Sequence, residues 1–201
     1  MNRRVCVLVL LALIGLVPST VCTENLMAGV MGGITIANLR GEDVFNNSTR
    51  VGGTGGGFAR YTLSDIFSVE PEVLFVMKGA NFEAQGTKLN QTIQYLEIPI
   101  LARATWPNES RLKPSIFVGP ALGILLSNKI EDGAEIDLED ASRNPDFGIV
   151  FGAGLDYTLT TGCILLDARY ELGLITTTKE SFDTDVKNSV FSIMAGYGMR
   201  F

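Results

Sequence analysis

The stretch Phe191-Ser192-Ile193-Met194-Ala195-Gly196-Tyr197-Gly198-Met199-Arg200-Phe201 puts Phe191, Ile193, Ala195, Tyr197, Met199 and Phe201 on one face and Ser192, Gly196, Gly198 and Arg200 on the other. Side chains of a strand alternate between its two faces, so the segment reads as a strand with a greasy side and a wet side. An apolar outside, a polar inside and an aromatic last residue suit a barrel closed on itself in a lipid membrane.

The same alternation recurs upstream. Ile164, Leu166, Ala168, Tyr170, Leu172 and Leu174 oppose Asp167, Arg169, Glu171 and Gly173. Phe147, Ile149, Phe151, Ala153, Leu155 and Tyr157 oppose Gly148, Gly152, Gly154 and Asp156. Leu96, Ile98, Ile100, Ala102, Ala104 and Trp106 oppose Glu97, Arg103 and Thr105, while Val69, Pro71, Val73, Phe75 and Met77 oppose Glu70, Glu72 and Lys78. Eight strands are predicted, at Leu26–Asn38, Val51–Leu63, Phe67–Gly79, Thr92–Trp106, Pro114–Asn128, Asp146–Leu159, Cys163–Thr176 and Ser189–Phe201. They exceed the roughly 9 to 11 residues that a tilted strand needs to cross a bilayer.

The connections alternate in length. Leu39–Arg50, Ala80–Gln91, Lys129–Pro145 and Thr177–Asn188 are long, whereas Ser64–Ile66, Pro107–Lys113 and Thr160–Gly162 are short. Long and short links therefore lie at opposite ends, the pattern of outer loops and periplasmic turns in an outer-membrane barrel with an even strand count. Tyr61, Trp106, Tyr157 and Phe201 all fall on the apolar face at the short-turn end. Amphipathic rings favour the headgroup layer, so these four are predicted to form an interfacial girdle.

Residues 1–23 form a separate object, with Arg3 and Arg4 before the apolar run Val5–Val17 and a small-residue exit through Ser19, Thr20 and Cys22. This is the layout of a cleavable secretory signal peptide, and the run is shorter than the roughly 20 residues of a spanning helix. Residues 24–201 are then one barrel domain. Removal of Arg3 and Arg4 takes the 16 basic residues to 14 against 22 acidic ones, which argues against a nucleic-acid partner. With Cys6 and Cys22 in or beside the signal, Cys163 is left without a disulfide framework.

The polar faces collect Arg60, Lys78, Arg103, Arg169 and Arg200 against Glu70, Glu72, Glu97, Asp156, Asp167 and Glu171. An eight-stranded barrel is just wide enough inside for side chains to fill it. Near-balanced charges there are predicted to pair into a structural lumen network that spans strands, because unpaired buried charges are costly. The chain contains no histidine, which excludes a Ser-His-Asp triad and any His-ligated metal site. No catalytic residue, cofactor or metal is expected. The carboxylates Glu131, Asp132, Glu135, Asp137, Glu139 and Asp140 match no calcium-loop spacing and read as a solvated acidic loop.

Tyr95-Leu96-Glu97-Ile98-Pro99-Ile100-Leu101, Phe117-Val118-Gly119-Pro120-Ala121-Leu122-Gly123, Phe151-Gly152-Ala153-Gly154-Leu155-Asp156-Tyr157 and Asp167-Ala168-Arg169-Tyr170 occur in that order. With Glu70-Pro71-Glu72 and the final Gly196-Tyr197-Gly198-Met199-Arg200-Phe201, the set resembles the PorT-like outer-membrane β-barrel family of Bacteroidetes over most of residues 26–201. The resemblance implies an eight-stranded, porin-like barrel in the outer membrane of the cell envelope, inserted by the barrel-assembly machinery, which typically reads a C-terminal aromatic strand. One founding member is linked to protease secretion, but fold does not fix function.

The expected architecture is thus all-β, an eight-stranded antiparallel up-and-down transmembrane β-barrel preceded by a cleavable signal peptide. It is expected to be a plugged, non-enzymatic barrel in contact with outer-membrane lipid that acts structurally or binds a surface partner through its long outer loops. An accessory role in a secretion or envelope-assembly apparatus, with envelope or secretion proteins as partners, is the alternative within the membrane. A soluble lipocalin-like carrier of an apolar ligand is the alternative of another class, and it requires the reverse facing.

Overall fold

A computed structural model of the chain describes residues 25–40, 47–84, 87–131, 135–137, 145–174 and 187–201. The expected signal peptide, residues 1–23, and the acidic-loop residues Asp132, Glu139 and Asp140 lie outside them. The strands are β1 (Leu26–Arg40), β2 (Asn47–Thr62), β3 (Phe67–Ala84), β4 (Thr87–Thr105), β5 (Leu112–Glu131), β6 (Glu135–Asp137), β7 (Asp146–Thr158), β8 (Cys163–Gly173) and β9 (Lys187–Arg200).

Neighbours run β4-β3-β2-β1-β9-β8-β7-β5, and a β4–β5 pairing closes the ring. The result is an eight-stranded antiparallel barrel with β6 added as a short hairpin partner of β5. Closure joins the first strand to the last: β1 pairs with β9 from Met27↔Arg200 to Arg40↔Lys187. The Phe201 N–H also donates to the Leu26 carbonyl at 2.8 Å. A closed ring leaves no strand edge, the condition for a sheet to cross hydrocarbon.

At the short-turn end the strands finish where the sequence places them, within about two residues. The turns there are tight, with the Leu63 N–H donating to Phe67 O and the Leu159 N–H donating to Gly162 O, both at 2.8 Å. At the other end the strands run longer than expected. The segment Ala80–Gln91, predicted as a long connection, instead continues the β3–β4 ladder through Asn81↔Asn90 and Phe82↔Leu89 to Ala84↔Thr87. Likewise β2 begins at Asn47 and β5 runs to Glu131. The residues there are polar enough to look like loop, but a hairpin already in register gains a backbone hydrogen bond for each further pair, whatever the side chains. At this end β7 begins at Asp146 as predicted and β8 alone stops short, at Gly173, although the Leu174 N–H still donates to Phe147 O at 2.8 Å.

The facing is apolar outward. Val30, Ile34, Ile100, Ile116, Val118, Phe151, Leu155, Ile164, Leu166 and Ile193 are exposed on the outer wall. Inside lie Glu70, Glu72, Lys78, Glu97, Arg103, Asp167 and Arg169, all buried. A water-soluble protein does not surround itself with so broad an apolar belt. The lipocalin-like alternative, which needs apolar side chains inward and polar ones outward, is therefore set aside.

Candidate functional site

The interior is the chemically distinctive part of the molecule, and the strand register builds it. Across β4, β5, β7 and β8 the pairs Arg103↔Phe117, Phe117↔Gly152 and Gly152↔Arg169 form one row, and Ser115↔Gly154 and Gly154↔Asp167 form the next. Because all of these share inward parity, their side chains converge in the lumen. The Phe117 ring takes the guanidinium of Arg103 at 4.4 Å and that of Arg169 at 5.4 Å. Two cations over one ring use its negative face, an interaction strengthened by desolvation.

Two glycines make this row possible. A Cβ at Gly152 would stand 2.6 Å from the Phe117 ring. At Gly154 it would collide with Asp167 Oδ1 and stand 2.6 Å from Arg103 Nη1 and 2.9 Å from Ser115 Oγ. The conformation is ordinary extended strand; the absence of a side chain is what the packing needs.

The charges form a continuous ladder. Arg60 bridges Asp156 and Glu70 through Nη1 and Nε. Arg103 Nη2 joins Glu70 at 2.8 Å to Asp167 at 2.7 Å, with Nη1 donating to Ser115 Oγ at 2.9 Å. Arg169 continues from Asp167 at 2.9 Å to Glu72 at 2.7 Å. Each arginine thus joins two carboxylates on other strands, except that Arg169 and Asp167 share β8. Nearer the long-connection end, Lys78 pairs with Glu97 and, at 2.7 Å, with Glu171, and its ammonium lies 5.0 Å from the centre of the Tyr95 ring.

Ten of the eleven charged residues singled out in the sequence stand in these two clusters. Arg200 does not: it is exposed at the short-turn mouth and has no ion-pair partner among the described residues. Sequence reasoning also missed the apolar part of the lumen. Met27, Met31, Phe58, Leu74, Val76, Cys163, Leu165 and Met194 form one buried cluster, and Leu101, Phe117, Ala121 and Val150 a second. The signal was available, since Ser115, Phe117, Gly119 and Ala121 alternate with Ile116, Val118 and Pro120. Apolar residues on both faces hid it. Tyr61, Trp106, Tyr157 and Phe201 are all exposed on the outer wall at the short-turn end, each 40% accessible or more.

Among the described residues no group of three or more His, Cys, Asp or Glu side chains is placed to hold a metal ion. The arrangement is a filled, ion-paired interior, and a cavity of about 390 Å³ lies at the mouth beside the short turns.

Solved structures share this architecture. Neisserial surface protein A is 16% identical, with 87% of this chain covering 97% of that one at a TM-score of 0.54. The outer membrane protein OprG of Pseudomonas aeruginosa is 14% identical, with 88% covering 96% at 0.52. At such identities the likeness establishes the fold. The chain matches no curated protein. A family model, however, spans residues 21–179, which takes in seven of the eight barrel strands. With its closed ring, apolar wall and charged interior, the chain belongs to the family described as the outer membrane protein beta-barrel domain.

Proposed function

We propose that this outer-membrane barrel is a rigid mount, its lumen network serving as a structural plug, whose long connections bind a partner outside the cell. The observation that supports this reading is the ladder Asp156–Arg60–Glu70–Arg103–Asp167–Arg169–Glu72, which occupies the lumen from the short-turn end to its middle. A solute crossing the barrel would have to break several of these pairs or pass beside them in a lumen that side chains already fill, so activity belongs at the ends.

Residues 1–23 act in this reading as the export signal and residues 24–201 as the mature barrel, inserted by the barrel-assembly machinery from its Phe201-terminated strand. The girdle of Tyr61, Trp106, Tyr157 and Phe201 sits at the inner membrane–water boundary. A cell-retention assay on immobilised glycans and proteins tests the binding role. Shortening the connections after β5 and β8 should abolish retention while the barrel still folds, and unchanged retention would overturn it. The narrower PorT-like kinship, and with it an accessory role in secretion, rests on the ordered motifs of the sequence. Stable co-purification with other envelope proteins, independent of those connections, would favour that second reading.

A further inference from the structure

We propose that the short-turn mouth of the barrel is an anion-binding vestibule that takes a phosphate-type oxyanion on Lys113, Arg200 and Arg60. All three line the cavity of about 390 Å³. The register brings them there from three sides. Met27 on β1 pairs with Arg60 on β2 and with Arg200 on β9, so two guanidinium groups flank one apolar residue. Lys113 enters from β5 on the inward face, opposite Asp156 of β7.

Two carboxylates share the lining, Asp156 and Asp65. Asp156 is held by Arg60, which leaves Lys113 and Arg200 opposed, among the lining residues, by the exposed Asp65 of the turn. Neither Lys113 nor Arg200 has an ion-pair partner among the described residues. Arg60 is 6% exposed, and its Nη2 makes no hydrogen bond there. Convergent like charges in a concave, partly desolvated site raise the local positive potential and concentrate anions. Guanidinium and ammonium groups together suit phosphate oxygens, which accept several charge-assisted hydrogen bonds at once. The cavity is of a size that holds a small ligand. In an outer-membrane barrel this end faces the periplasm, where such an anion comes either from a lipid headgroup or from solution.

The test uses the full barrel folded in uncharged dodecylmaltoside micelles, titrated calorimetrically with inorganic pyrophosphate at low salt. A parallel sample is refolded in phosphatidylcholine vesicles containing phosphatidylglycerol, and the lipid retained on re-extraction is measured. The variants are Lys113→Gln, the double change Lys113→Gln/Arg200→Gln, and Arg111→Gln as control. Arg111 is exposed in the same region but does not line the cavity. Heat-shifted gel mobility confirms that each is folded. Saturable pyrophosphate binding, weakened at least tenfold in the double variant, unchanged in the control and intermediate in the single one, supports the site and a soluble ligand. Selective retention of phosphatidylglycerol, lost in the double variant, supports the site and a headgroup. Absence of both, or equal loss in Arg111→Gln, overturns the proposal.

Discussion

At the scale of single residues the lumen is sensitive because charge and volume are settled together. Removing one member of a buried ion pair strands its partner, at a cost of about 3–5 kcal/mol. The two clusters should not respond alike. Glu97 and Glu171 share Lys78, whereas the carboxylates that Arg103 holds keep Arg60 and Arg169. Lys78→Met is therefore expected near the top of that range and Arg103→Met near the bottom or below it, measured by urea titration in lipid vesicles. Equal losses would mean that the ladder does not share its charges. Volume makes a second contrast. Gly154→Ala drives a methyl into Asp167, Arg103 and Ser115 and should cost about 1–3 kcal/mol. Gly32→Ala faces outward, with its nearest neighbour 3.4 Å away, and should stay within about 0.5 kcal/mol of the parent.

At the scale of the strand the outer wall is judged by lipid. Leu166 is exposed on β8 between the inward Leu165 and Asp167. Leu166→Arg should cost about 2–4 kcal/mol if the position sits near mid-membrane, read from folding yield in vesicles. The strands were legible where the two faces differ in polarity, as in β8 and the outward half of β9, because the lipid–lumen boundary imposes a period of two. Legibility failed in two places for different reasons. Past Gly79 the alternation of Ala80, Phe82 and Ala84 with Asn81 and Glu83 lasts only five residues before Gln85-Gly86, and Thr87, Lys88, Asn90 and Gln91 surround a single Leu89, so the β3–β4 ladder there read as a long connection. Inside the lumen, Leu165, Met194 and Phe117 are as apolar as their outward neighbours, so the inner core was unreadable at those positions although the charges around it were plain. Arg200 misled in the opposite sense. Its parity is inward, yet it lies at the strand's last residue, where inward means the open mouth.

At the scale of the molecule the question is whether the closed ring conducts. The interior of an eight-stranded barrel admits little beyond its own side chains, and here those side chains are tied across β2, β3, β4, β7 and β8. An ion passing through must break several of these pairs at once or travel beside them, and the Phe117 ring stands against both Arg103 and Arg169 at mid-ladder. Each pair opened exposes charges in a medium of low dielectric, so the barrier is the sum of several such openings. The parent protein in a planar bilayer should show no resolved single-channel steps. Exchanging Phe117 for Ala removes the ring that occupies the row between Arg103 and Arg169, while the ion pairs stay in place, so conductance should remain closed. Adding Arg103→Ala to Phe117→Ala cuts the ladder at its centre, where Glu70 and Asp167 then draw in water and cations. That double variant should conduct with cation preference. Steps in the parent protein, or a silent double variant that still shifts mobility on heating, would show that closure depends on something other than the ladder.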